Sequence, residues 1–242
     1  MPVDRNSWYE TPVLLGAKVR LEPPSSSHAA GYLAAADSDE VFEWMPVARP
    51  RSLSEAEETL AGLLARPDLQ AWAQIDVASG EFAGMTTYYD VDPSMRTVAI
   101  GFTWLGQRFW RTGINNEAKL LLLIHAFETL GCVRVVWHTD IFNERSQAAI
   151  TRLGATREGV LRKHRLRRDG SWRDTVTFSM PDDAWPAATA ANRRPCCRPC
   201  SSIAWPSRRC ARRLRPPTSC ASLAFITRPV AYASFATPGT KS

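Results

Sequence analysis

Between residues 73 and 104 the chain alternates between apolar and polar positions. Ala73, Ile75 and Val77 are separated by polar neighbours, and Val98, Ile100, Phe102 and Trp104 alternate with Thr97, Ala99, Gly101 and Thr103. A period of two predicts strands, and residues 82–91 form a third such run after Ser79-Gly80. Asp92-Pro93-Ser94 supplies the hairpin turn between the last two runs. Beyond residue 115 the period changes. Leu120, Leu123, Ile124, Phe127 and Leu130 share one helical stripe, which Leu121 and Leu122 widen, so this helix is expected to be buried on more than one side. Gly131 is placed to stop it, and Asn115 or Asn116 to cap its start.

The flanking segments carry weaker patterns. Residues 18–22 read as an opening strand and residues 28–36 as an Ala-rich helix. Ser52-Leu53-Ser54-Glu55 reads as a capping box opening a helix that stops near Pro67. Val133, Val135 and Trp137 begin a strand running to Asp140, and Asn143 opens a short helix closed by Gly154. Residues 158–166 and 173–180 are strands flanking Asp169-Gly170-Ser171.

Charge and cysteine divide the chain. The formal charge of +6 comes from residues 184–242, which hold ten of the 30 basic residues and no acid. Residues 1–183 carry 20 basic against 24 acidic side chains. Cys132 is the single cysteine before the tail, which excludes a disulfide framework there; Cys197-Arg198-Pro199-Cys200 is a lone pair without a partner pair or a tail histidine, so no metal is expected. The division expected is an N-terminal arm 1–12, a folded domain 13–183 and a disordered basic Arg/Pro/Cys tail 184–242. The tail's composition resembles GC-rich coding DNA translated out of frame. No signal segment or spanning run shows, and a cytoplasmic protein is expected.

The chemistry concentrates at Trp110-Arg111-Thr112-Gly113-Ile114-Asn115-Asn116-Glu117-Ala118. A glycine turn from strand to helix gathers unpaired N–H groups and the positive end of the helix dipole around one point, a site for a diphosphate. A second block follows, Asn143-Glu144-Arg145-Ser146 and then Leu153-Gly154-Ala155 and Glu158-Gly159. These two blocks, with the element order, resemble the GNAT superfamily of acetyl-coenzyme A-dependent N-acetyltransferases over residues 13–183, closest to the ribosomal-protein N-terminal acetyltransferases. Trp110, Gly113, Glu117 and Ala118 match that branch's glycine motif; Arg111 and Asn115 depart from it.

The resemblance implies an α+β fold of three α/β/α layers. Its sheet would be mixed, mostly antiparallel and twisted, with about six or seven strands and helices on both faces. It implies acetyl-CoA as cosubstrate, held by Phe102, Thr103, Trp104, Leu105, Trp110, Arg111, Thr112, Gly113, Ile114, Asn115, Asn116, Asn143 and Ser146. Arg108 or Arg111 would add charge near the phosphates. A primary amine, of a protein N-terminus or a small molecule, would attack the thioester, with a backbone N–H near Trp104 or Leu105 stabilising the oxyanion. Ser146 would return a proton to the thiolate. The base stays open among His164, His138 and Asp140, because the position where the branch can carry glutamate holds Arg165. Two competing readings remain: a degenerate protein that binds acetyl-CoA without turnover, and a binder of nucleic acid through the basic tail. The second would be non-specific, since the tail's basic section lacks interleaved aromatics. No membrane partner is expected, and a homodimer is left open. The acidity of residues 1–183 leans toward a cationic acceptor.

Overall fold

The structure is a computed structural model and describes residues 5–192. Its centre is one eight-stranded sheet in the order β1-β2-β3-β4-β5-β6-β8-β7. The strands are β1 (Leu14–Leu15), β2 (Val19–Glu22), β3 (Gln70–Asp76), β4 (Phe82–Asp92), β5 (Thr97–Leu105), β6 (Arg134–Asp140), β7 (Thr156–Leu166) and β8 (Trp172–Pro181). Every pairing is antiparallel except β5 with β6. The helices are α1 (Ala29–Ala35), α2 (Leu53–Leu64), α3 (Ile114–Ile124), α4 (Glu144–Arg152) and α5 (Trp185–Asn192). The expected class is the one observed; the added strand is the two-residue β1, too short to carry a pattern.

Alternation along the strands sorts the side chains into two cores. On one face Ala71, Ala73, Ile75, Met85 and Trp104 meet Tyr32, Phe42, Ala56 and Leu60 of the α1–α2 layer. On the other, Trp72, Tyr88, Val98, Ile100, Val135 and Trp137 meet Ile114, Ala118, Leu122 and Leu123 of α3. α3 is therefore buried along a broad stripe, as its pattern requires. It runs on through a π turn, His125–Thr129, to the left-handed Gly131.

Two local expectations differ. The cap of α3 is Gly113, with no side-chain cap, and Asn115 and Asn116 lie inside the first turn. The order also continues past Asp183: Trp185 stacks on Phe127 at 5.2 Å and Ala188 packs beside Gly154, so α5 completes the second core. An Ala-rich segment with one tryptophan shows little periodicity, yet that one ring supplies the contact. The rest of the basic tail lies outside the described residues.

Candidate active site

Three features meet at the C-terminal end of β5. The first is the mouth of α3. Arg111 and Gly113 both take left-handed backbone conformations, with φ of 61° and 95°, and bend the chain sharply into the helix. The first helical bond there runs from the N–H of Glu117 to the carbonyl of Gly113 at 3.0 Å. The N–H groups of Ile114, Asn115 and Asn116 precede it and emerge at the positive end of the dipole. Ile114 reaches only the Thr112 hydroxyl, at 3.4 Å.

A cavity of about 380 Å³, lined in part by Lys18, Val77, Thr112 and Ile114, adjoins this end. The cation beside it is Lys18, whose Nζ donates to the Thr112 carbonyl at 2.9 Å and lies 2.7 Å from where a Gly113 Cβ would stand. Arg108 instead pairs with Glu81 at 3.6 Å. Glu117 accepts from the N–H groups of Ala17, Lys18 and Val19 at 3.0, 2.6 and 2.9 Å, anchoring the β1–β2 turn that carries Lys18. Lys18 escaped the sequence reading because nothing local ties an exposed turn lysine to the Thr112 carbonyl 94 residues on.

The second feature is a split in the sheet. β5 and β6 pair over three positions, Thr97 with Arg134, Val98 with Val135 and Ala99 with Val136. Beyond them β6 continues along β8 alone, through Trp137 to Asp140. Thus, among the described residues, 100–105 of β5 have no strand partner on that side. In the same stretch β5 bulges: Phe102 and Thr103 oppose the single residue Thr86 of β4, and Phe102 has φ of 45°. A bulge re-aims backbone groups, and a wedge with an unsatisfied strand edge can receive an extended amide-bearing chain.

The mouth of α3 opens beside this wedge. The Trp110 indole donates to the Leu105 carbonyl at 2.9 Å and fixes the link between them. Leu105 itself belongs to the α3-side core. Trp104 packs edge-on against Tyr32 at 4.8 Å, which makes its side chain part of the α1–α2 core.

The third feature is the start of α4. Asn143 caps it, its Oδ1 accepting from the Ser146 N–H at 2.9 Å. Ser146 therefore stands at the helix start across the split. Arg145 spans the opening, its guanidinium 4.0 Å above the Trp110 ring and 3.4 Å from Glu40. A second cavity, about 250 Å³, lies here, bounded in part by Glu43, Trp44 and Phe142.

On the α1–α2 face a line of rings crosses the split. Phe102 meets Tyr89 edge-on at 5.3 Å, the Tyr89 hydroxyl lies 2.8 Å from His138 Nδ1, and the rings of His138 and His164 are 6.0 Å apart. Burial lowers the pKa of His138, helped by His164, Arg165 and Arg173 and opposed by Asp90. Burial and the same two arginines lower His164. Both imidazoles are therefore neutral at pH 7 and able to take a proton. Asp140 differs. Burial alone would raise its carboxyl, but the fork of Arg167, bonded at 2.7 and 3.0 Å, and the Phe142 N–H hold it below the usual range. Among the described residues no cluster of three or more His, Cys, Asp or Glu could hold a metal ion, and no helix is long and apolar enough to cross a membrane.

Known proteins share this fold. Residues 18–156 match the family model described as an acetyltransferase (GNAT) domain. A GCN5-related N-acetyltransferase from Brucella melitensis superposes with a TM-score of 0.73 and 31% identity, over 76% of this chain and 85% of that one. YdaF of Bacillus subtilis, provisionally named a ribosomal N-acetyltransferase, is 28% identical over 69% of this chain and 92% of its own length. The FsC-acetyl coenzyme A-N(2)-transacetylase of Aspergillus fumigatus is 26% identical over 72% of this chain and 78% of its own. A split sheet beside an open helix mouth, and a family model covering more than half the sequence, agree: the chain belongs to the GNAT family of acetyltransferases.

Proposed function

We propose that this acyltransferase moves the acetyl group of acetyl-CoA directly to a primary amine, of a protein N-terminus or a small molecule. The observation that carries the reading is the divergence of β5 and β6 after three paired positions, next to the N–H groups of Ile114, Asn115 and Asn116 that precede the first helical bond of α3. The donor set fits a thioester with a diphosphate: N–H groups and Lys18 for the phosphates, and an unpaired strand edge for amides.

In this reading Arg111, Thr112, Gly113, Ile114, Asn115 and Asn116 line the diphosphate, while Phe102, Thr103, Trp104 and Leu105 offer their backbone to the acyl arm. Trp110 and Asn143 hold the two sides of the slot. Acetyl-CoA supplies the activated acetyl group. The amine nitrogen bonds to the carbonyl carbon, an N–H near Trp104 or Leu105 receives the developing oxyanion, and the carbon–sulfur bond breaks. Loss of such an N–H donor raises a barrier by ~3 kcal/mol. His164, neutral and exposed, takes the amine's proton. Ser146 gives one to the thiolate and regains it from solvent, to which His164 releases the amine's. Asp140, engaged by Arg167, has a depressed pKa and is the weaker base.

Calorimetry tests the site. Wild type should bind acetyl-CoA with micromolar affinity, and Gly113→Trp should weaken binding at least tenfold, because a side chain there meets Lys18 and blocks the mouth. Equal affinities would remove the assignment. Thiol release with a panel of peptides, amino acids and polyamines then identifies the acceptor.

A further inference from the structure

Beneath the bulge of β5 lies a lysine that packing alone does not explain. Lys119, on the sheet-facing side of α3, is 7% exposed. Its Nζ donates to Thr86 Oγ1 at 2.9 Å and to Thr103 Oγ1, both neutral. Among the described residues no carboxylate lies within ion-pair distance of it. Burying an amine without a counter-charge is costly, and burial lowers its pKa to about 7. A methionine would fill the same volume at no such cost.

What the amine does is tie the bulge together. Thr86 is the one residue of β4 that faces the two bulged residues of β5, and its hydroxyl lies 2.8 Å from that of Thr103. Thr103 Oγ1 in turn donates to the Gly101 carbonyl at 3.2 Å, and Thr87 Oγ1 donates to the same carbonyl at 3.1 Å. On the same face Gln74 Nε2 donates to the Met85 and Trp104 carbonyls at 2.8 and 3.2 Å. Each end of the irregular stretch Gly101-Phe102-Thr103-Trp104 is thus held by a buried side chain, and Lys119 joins the two strands at its centre. A bulge is the part of a strand least determined by ladder hydrogen bonds, so its geometry depends on such ties.

We propose that Lys119 is a positioning residue for acetyl transfer: through Thr86 and Thr103 it fixes the β5 bulge whose N–H groups meet the thioester carbonyl. The inference rests on the acetyl-transfer reading above, and it adds a group that touches neither acetyl-CoA nor the amine.

The test is acceptor-independent: the carbon-13 shift of carbonyl-labelled acetyl-CoA bound to the full chain, with affinity measured in parallel. Polarisation by an aimed N–H moves that signal downfield. Lys119→Met should bind within threefold of wild type and lose at least half of the downfield displacement. Thr86→Val, which removes the other hydroxyl that Lys119 holds, should do the same, and Thr86→Ser, which keeps the hydroxyl, should restore it. The Thr86 pair decides the matter if Lys119→Met does not fold. Three results would each overturn the inference: the wild-type displacement retained in both Lys119→Met and Thr86→Val, no displacement in wild type, or affinity falling in step with the displacement. A wild-type chain that binds no acetyl-CoA would instead sink the underlying function.

Discussion

At the scale of single residues, charge and burial are opposed in ways composition does not reveal. His125 is 5% exposed, stacked on Tyr88 and edge-on to Trp72. Burial lowers its pKa from 6.5 to about 4. Between those values the unfolded chain binds the extra proton, so stability rises with pH from about 4 to 6.5 and is lost as pH falls through that window. The shift corresponds to roughly 3 kcal/mol. His125→Phe keeps the ring packing, so its melting temperature should depend less steeply on pH between 4.5 and 7 than that of wild type; parallel curves would refute this.

Asp140 presents the converse case, with its side chain 4% exposed and its carboxylate clasped by Arg167. Arg167→Met strands a buried charge, and urea unfolding at pH 7 should show a loss of about 3 kcal/mol. The depressed carboxyl makes this loss shrink as pH falls and Asp140 protonates. Neither environment is visible in the primary structure, since the partners are 27 residues apart for Asp140 and 37 for the Tyr88–His125 pair.

At the scale of elements, what could be read ahead depended on local signals. The alternation of β3 to β5, the stripe of α3 and the cap at Asn143 are periodic or local, and the structure contains all three. The bulge and the divergence of β5 from β6 are not local. They depend on how two strands pair, and alternation assigns each residue a face without saying which residue stands opposite it. Gly84 shows how tightly that pairing is built: a Cβ there would lie 2.0 Å from the Trp104 carbonyl oxygen and 2.8 Å from Leu105 Cα, both backbone. Gly84→Ala must push β4 from β5 at the bulge. We expect a cost of about 3 kcal/mol in denaturant unfolding, with acetyl-CoA affinity reduced at least fivefold by calorimetry. A variant that unfolds at the wild-type urea midpoint would contradict this.

At the scale of the molecule, charge patterning gave a boundary near Asp183, whereas α5 continues the core with Trp185 and Ala188. A chain ending at Asn192 should retain acetyl-CoA affinity. One ending at Asp183 uncovers the face that Trp185 and Ala188 occupy, worth about 2 kcal/mol of tryptophan burial. That predicts a melting temperature roughly 4–8 °C lower; equal melting curves would place α5 outside the cooperative unit. The acidic count of residues 1–183 likewise averages over a surface on which Arg165 and Arg173 act on both histidines of the split.

The amino-acid order on its own determined the layered fold, the glycine turn and the second Asn-Ser block, because period, turn chemistry and caps act over a few residues. Only the tertiary structure decided the ion pair that engages Asp140, the approach of Lys18 to the α3 mouth and the burial of Lys119 beneath the bulge. Those are contacts between distant segments, and their energies exist only once the sheet has brought the segments together.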